Sequence, residues 1–519
     1  MNFTKYPNFC SIALVFGVWC LGAVTANAQE NQGKLKVQIL QADNILRDQS
    51  QPDVQRLIGD VVLGYRDARL FCDSAWRYSD GQFQTMGDVR LIDGNQRLQA
   101  NELNLNPETQ RVRAKSIGDS PVVLDADAGR LETELLDYSL ASKIAILPNG
   151  GQLEEGERSI RFNQGRYLTA QQILLLGGDV ELTSSDYELQ SDSVHWDERQ
   201  RVFSFHASSH LASRNGQFEL WCNSGEFDET TESGWFADSL QGARVRDQSI
   251  WLQANYLELP ADSAEPSLAS GHVWIRDTLE RWELHGARAK RWDSNAKAGA
   301  TLWVTGDSAG RVHWMDFGEA DSLFLVSDSL QVDEKFLHAW PDVMMRQGEE
   351  SHARAEDLYW DRDSGLVKLQ GEPAMWLEEW MLQSDSLEWE MLNNRPSSLL
   401  AWGHAGLSKP VRGGCFQQIV GRQIKGDFTD GELKKLMVNG NAESLYFNED
   451  AEDLCAEFNQ SQSSRMRVDF QDNAVEQIVL LEGPEGTWMS NGSDAPGFED
   501  ANWERVPWVP APVTPWKRQ

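Results

Sequence analysis

Basic residues are scarce in this chain of 519 residues, where 47 lysines and arginines stand against 80 aspartates and glutamates and the formal charge is -33. A nucleic-acid backbone rewards clustered cations, so no nucleic-acid partner is expected. Cysteine is scarcer still, at six. Beyond the amino-terminal region only Cys72, Cys222, Cys415 and Cys455 remain, too widely spaced for a stapled miniature scaffold. Cys72 and Cys222 read as small buried residues, and Cys415 and Cys455 are free to pair if the fold brings them together. No phosphate-cradling glycine loop with lysine and no nucleophile elbow is present. His206 and His210 lie four apart, a ligand spacing on a helix but not on strands, and no glutamate takes the catalytic place of a zinc hydrolase. Acidic pairs such as Glu378 and Glu379 follow from composition, whereas a glycosidase needs two carboxylates across a cleft. No catalytic, cofactor-binding or metal-binding residue is assigned, and no cofactor is implied.

Long apolar runs are absent after the first thirty or so residues, as is any sustained helical period. The one long run, from Phe9 to Leu21, follows Lys5 and precedes Ala26, Asn27 and Ala28, a small-x-small cleavage pattern. Residues 1–28 are therefore expected to be a signal peptide, with an exported mature chain starting near Gln29.

What is abundant is a repeat. In residues 380–391, Leu382 and Ser384, then Leu387 and Trp389, form two alternating runs around Asp385 and Ser386, the pattern of a strand, a corner and a second strand. The small Ser384 permits close backbone approach, and Asp385 is expected to hydrogen-bond the local backbone. The arrangement recurs at Leu325, Ser327, Asp328, Leu330 and Val332, and at Leu189, Ser191, Asp192, Val194 and Trp196. The opening apolar residue of each unit gives the series Leu70, Leu98, Leu131, Ile160, Leu189, Leu220, Leu252, Leu284, Leu325, Ala353 and Leu382, most steps being 28 to 33 residues and one 41. A unit of this length cannot bury its apolar face alone and must stack on its neighbours. Strings such as Gly59-Asp60-Val61 and Gly87-Asp88-Val89 place a glycine before a strand, where it reads as a flexible bend.

Residues 29–392 form this array, and residues 393–414 mark a softer boundary, rich in Asn, Gly and Pro. Residues 393–489 carry longer units of related pattern, and 490–519 are a glycine- and proline-rich tail, capping or trailing. The fold expected is all-β, either an elongated stack with an apolar groove or a filled parallel β-helix.

The units from Gly59 to Trp389, and above all GRQIKGDFTDGELKKLMVNGNAESLYF and MRVDFQDNAVEQIVLLEGPEGTW near the end, resemble the OstA-like proteins of the Bacteroidetes type, relatives of the periplasmic lipopolysaccharide-transport protein LptA and of the amino-terminal domain of LptD. The resemblance implies a slotted, taco-like β-jellyroll array that shields acyl chains on the way to the outer membrane. It implies a non-enzymatic periplasmic protein, with lipopolysaccharide or a related long-chain amphiphile and other jellyroll transport components as partners. Homo-oligomerisation is open by the same edge pairing. Leu105, Leu259, Val332, Leu387 and Trp389 are the candidate groove residues, their neighbours Asn104, Glu258, Gln331 and Glu388 facing outward. Arg111, Arg113 and Lys115 are a candidate basic rim or a solvated strand. An elongated glycan- or protein-binding scaffold of the cell envelope is the alternative.

Overall fold

The computed structural model describes residues 36–490, apart from 48–52, 119, 263, 293–300, 309, 318–321, 349–350, 378, 393–394, 412–414, 430–431, 448–456 and 472–473. The expected signal peptide and tail lie outside the described residues. Among those described there is no helix, and 44 strands join into a single antiparallel sheet.

That sheet is folded along a seam into two arms. One turn of the chain shows how. Phe218–Cys222 lies in the first arm and passes through Asn223 to Ser224–Asp228 in the second, which hairpins back as Ser233–Ala237. The chain recrosses the seam to Ala243–Asp247 in the first arm, hairpins to Ile250–Ala254, and crosses again to Tyr256–Leu259. Each arm thus grows by one hairpin per crossing, and the hairpin tips line the mouth opposite the seam. All pairings are antiparallel, which removes the parallel β-helix.

The sequence repeat is a register. Following the pairings from Leu70 leads through Leu91 to Leu98, through Leu124 to Leu131, and through Leu153 to Ile160. It continues through Leu182 to Leu189, Leu211 to Leu220, Val245 to Leu252 and Ile275 to Leu284. Beyond Trp314 come Leu325, Met345, Ala353, Met375 and Leu382. Every unit-opening residue falls on this one inward row of the first arm, and its side chains belong to a single apolar cluster shared with the second arm. Adjacent strands at roughly 4.8 Å spacing make that row a continuous wall.

The corners combine two local devices. Ser191, Ser327 and Ser384 each donate a hydroxyl to the carbonyl two residues on, at 3.1, 2.8 and 2.8 Å, tying one arm to the start of the other. The second device corrects the expectation of a flexible glycine bend. Gly59-Asp60, Gly87-Asp88, Gly178-Asp179, Gly271-His272, Gly371-Glu372, Gly403-His404 and Gly440-Asn441 all have positive φ at both residues. At six of these pairs the ladder register shifts inside a continuous strand, as between Ile58 and Val61 or Gly177 and Val180. These are fixed bulges, which sharpen the local twist and let a strand turn the corner. Each glycine lies against the corner residue of a neighbouring strand: Asp43, Asp73, Asn163, Asn255, Glu356, Asp385 and Arg422 respectively. The corner N–H often completes the contact, as when Asp43, Asn163, Asn255 and Asp385 donate to the carbonyls of Gly59, Gly178, Gly271 and Gly403 at 2.8–3.0 Å. The Asp385 carboxylate pairs with His404 at 3.1 Å, across the strands, in place of the local backbone bond expected of it.

Beyond residue 393 the strands lengthen, and Arg395–Pro410, Phe416–Thr429, Glu432–Phe447 and Glu457–Gln471 run through both arms without breaking. Cys415 is disulfide-bonded, while Cys455 lies outside the described residues. Cys72 and Cys222 are buried free thiols, pushed up to about 12 by burial.

Candidate functional site

The inner face of the second arm carries the residues singled out from sequence. From Leu105 the pairings lead through Val112 to Tyr138, through Ala145, Tyr167 and Leu174 to Trp196, and through Phe203, Phe227 and Gly234 to Leu259. From Val332 they lead through Leu337, Trp360 and Val367 to Trp389. Leu257, two residues before Leu259, connects through Ala269, Ala289 and Val304 to Leu330, two before Val332, so both stretches are one row. Leu387 stands in the adjacent row, nearer the seam, through Ala339, Leu358 and Leu369. Their sequence neighbours Asn104, Glu258 and Gln331 are exposed, and Glu388 pairs with Lys368 on the outer side.

The row is packed, then open, then packed. Leu105, Leu387 and Trp389 are sealed in the core. Leu259 and Val332 instead line a cavity of about 680 Å³ between the arms, with Phe218, Ile250, Leu252 and Leu302. This is the size of an ordinary small-molecule site. One local reason is that where Trp196 and Phe203 fill the slot, the inward position at the cavity is the small Ser267. Phe218, Ile250, Leu252 and Leu259 remain half-buried as a result. Toward the mouth stand Asp247, Asp277, Glu280, Asp333 and Glu334, with Arg291 and Arg362 among them. Arg291 lies 3.7 Å from Asp247 and Arg362 3.7 Å from Glu280, both pairs spanning the mouth between arms. Burial raises the Asp316 carboxyl, with Arg362 opposing the shift.

Toward the amino terminus the mouth is clasped. Tyr65 donates to the Pro107 carbonyl at 3.0 Å, and Asp93 takes Tyr138 Oη at 2.8 Å and Lys143 Nζ at 2.5 Å from the opposite arm. Gln172 donates to Asp127 at 2.8 Å. The deepest clasp is Arg158, whose guanidinium bonds Glu229 at 2.5 Å and Glu155 at 3.1 Å and lies 4.7 Å from the centre of the Trp196 ring. Arg158 and Glu229 are both almost wholly buried, and burial raises the Glu229 carboxyl despite Arg158. Glu198, nearby, is pushed up to about 7 by burial and then by Glu155 and Asp127. A desolvated ion pair of this kind is costly to break singly. Tyr187 of the first arm meets Phe203 and Phe227 of the second edge-on at 6.4 Å, completing a partition beside the cavity.

The remaining candidates lie elsewhere. Arg111, Arg113 and Lys115 are exposed on the outer face of the second arm, with Arg113 held by Asp137 at 2.6 and 2.9 Å. His206 meets His195 at 2.9 Å, and His210 stacks on Trp221 at 4.8 Å, which stacks on Trp251 at 5.9 Å along the outer face of the first arm. Sequence reasoning missed Arg158, Glu229 and Ser267. The signal available for Ser267 was a small polar residue in a row of mostly large apolar ones.

Both ends of the stack are edges. Among the described residues Gln38–Gln41 and Asn44–Arg47 pair only with Gln55–Tyr65, leaving Leu40, Ile45 and Leu46 exposed. At the other end Ala474–Leu481 and Glu485–Ser490 pair only with Glu457–Gln471.

Among solved structures, the chain is similar to LptH of Pseudomonas aeruginosa, described as the LptA homologous periplasmic component of the conserved lipopolysaccharide transport device. The identity is 13%, the match covers 27% of this chain and 94% of that one, and the TM-score is 0.21. No curated protein matches. Residues 34–192 match the family of OstA-like proteins.

Proposed function

We propose that this chain is a non-enzymatic periplasmic protein that binds lipopolysaccharide, or a related long-chain amphiphile, by its acyl chains and passes it toward the outer membrane. The observation that carries the reading is the apolar cavity between the arms, walled by Leu252, Leu259, Leu302 and Val332 and open at a polar mouth. The OstA-like match over residues 34–192 supports the same assignment. Each methylene moved from water into such a slot is worth roughly 0.8 kcal/mol, so shape and apolarity suffice for holding and releasing chains. The carboxylates at the mouth disfavour a bare anionic head group, and a divalent counter-ion on the head group offsets that repulsion. The stack edges, which carry no further strand among the described residues, suit end-to-end pairing with another jellyroll component or with a second copy. An elongated envelope scaffold is favoured by the half-buried outer-face aromatic ladder at Trp221 and Trp251, but those rings stack on one another and on His210, which takes up the faces a sugar would need.

The test is a photo-reactive side chain placed singly at Val332 and at Gln331 in folded mature protein exposed to lipopolysaccharide. Val332 lines the cavity and Gln331 faces out, so strong labelling from 332 and little from 331 is expected. Equal labelling from both, or none from the cavity wall, overturns the reading.

A further inference from the structure

Asp277 holds a place in the fold that, at Asp93, is answered by an ammonium group. It stands two residues beyond Ile275 at the mouth end of the inward wall of the first arm, as Asp93 stands beyond Leu91 and Asp247 beyond Val245. Its row runs through Phe218, Asp247, Ile250, Asp277 and Trp282, all of which line the cavity. Asp93 and Asp277 are buried to nearly the same depth, at 6% and 8% exposure. Asp93 takes Lys143 Nζ from the opposite arm at 2.5 Å, with Tyr138 Oη at 2.8 Å, a short charge-assisted contact. Asp277 commits one oxygen to its own turn, where Oδ1 accepts from the N–H groups of Leu279 and Glu280 at 2.8 and 3.1 Å. Its Oδ2 joins no hydrogen bond or ion pair among the described residues. The two arginines of the mouth answer Asp247 and Glu280 instead, each at 3.7 Å.

Seven carboxylates and two guanidinium groups line the cavity, so the charge that suits it is positive. A divalent ion wants about six oxygens or more, and among the described residues no three acidic side chains converge to hold one. An ammonium brings three donors and has no coordination shell to complete. Volume limits the rest of the ligand: at about 30 Å³ for a group the size of a water molecule, a cavity of about 680 Å³ takes roughly twenty such groups, one long chain or two of medium length. We infer that the cavity binds an amphiphile of one or two acyl chains whose head group carries an ammonium, held by the Asp277 carboxylate as Lys143 is held by Asp93. The inference rests on the amphiphile-binding reading and adds to it the charge of the head group and the number of chains. The chains lie against Leu252, Leu259, Leu302 and Val332, and the head stays at the mouth.

The experiment uses three probes with the same alkyl chain and different heads: an ammonium, a phosphate and an uncharged glycerol ether. Each is titrated calorimetrically, below its micelle concentration, into the full mature protein and into Asp277→Asn, and the phosphate is run with and without magnesium. Asparagine keeps Oδ1 for the turn and replaces Oδ2 with an amide nitrogen, so the turn is preserved while the carboxylate is lost. The wild-type protein is expected to bind the ammonium probe at least roughly tenfold more tightly than the phosphate probe, and Asp277→Asn to lose roughly tenfold for the ammonium with the uncharged probe unchanged. The uncharged probe reads the chain pocket in the same samples, and the ranking of heads by the wild-type protein decides the matter even if the variant does not fold. Equal affinity for the three heads, a phosphate probe raised to the level of the ammonium by magnesium, or a folded Asp277→Asn that keeps its ammonium affinity or loses the uncharged probe equally, overturns the inference while the amphiphile reading stands. Failure of every probe to bind the wild-type protein overturns that reading, and this inference with it.

Discussion

If the seam bulges bend the sheet into two arms, a methyl group placed on one of them should cost more than its backbone angle alone. Gly403 and Gly216 share a φ of +69°, but a Cβ on Gly216 meets nothing within 4 Å whereas one on Gly403 meets Asp385 Oδ2 at 2.2 Å, Cγ at 2.8 Å and Cβ at 3.0 Å. Gly216→Ala therefore isolates the left-handed strain, about 1–2 kcal/mol. Gly403→Ala adds the displacement of Asp385, whose carboxylate must leave His404 and whose Cβ has little room to follow. A further cost of about 1–2 kcal/mol is expected, in the range of contacting pairs. Asp385→Ala in the same chain removes the obstructing carboxylate, so the double variant should recover most of the second cost but none of the first. Urea unfolding of the four proteins measures the cycle, and hydrogen exchange along Ser386–Leu392 and Arg395–Pro410 shows whether the damage stays at that crossing. Equal losses for Gly403→Ala and Gly216→Ala, or no relief from Asp385→Ala, would refute the view that corner residue and bulge are fitted to one another.

Leu387 and Leu259 separate filled core from cavity wall: Leu387 is fully buried, so Leu387→Ala should cost about 2–5 kcal/mol in urea unfolding. Leu259→Ala, at a half-buried wall, should cost about 1 kcal/mol or less while weakening retention of an acyl probe, and a reversed order of stabilities would count against the placement of the cavity. Glu198 titrates near 7 in the folded chain, above the ordinary glutamate value, so the folded state binds the extra proton and stability falls as pH rises toward and through 7. Glu198→Gln should thus raise the melting temperature relative to wild type more at pH 8 than at pH 5, and a pH-independent difference would refute the assignment.

The stack was legible because its grammar is local. Alternation at Leu382, Ser384, Leu387 and Trp389 fixes which side chains share a face, and a repeat of about thirty residues forces neighbouring units to present the same face at the same height. Hence all the unit-opening residues fell on one row. The Gly-Asp pairs were visible too, but their meaning was not. A glycine before a strand and a glycine inside a continuous strand read alike until the partner across the ladder is known, and that partner, such as Asp73 for Gly87 or Asn255 for Gly271, lies in another strand.

The cavity escaped for a different reason. It lies where the row offers only the small Ser267, and a small residue carries meaning only once the row is known to need a large one there. Its closure on one side depends on Arg158 and Glu229, 71 residues apart and on opposite arms, and on Tyr187 meeting Phe203 and Phe227 across the slot. Alternation alone specifies inward and outward but not which inward residues face one another, because the two arms meet only through the fold at the seam. The same five inward positions were consequently indistinguishable by pattern, although the structure makes Leu259 and Val332 wall and Leu105, Leu387 and Trp389 core. The slot is thus asymmetric along its axis although its units repeat one pattern, being closed on one side by the buried Arg158–Glu229 pair and on the other by the packed rings of Trp314 and Trp360.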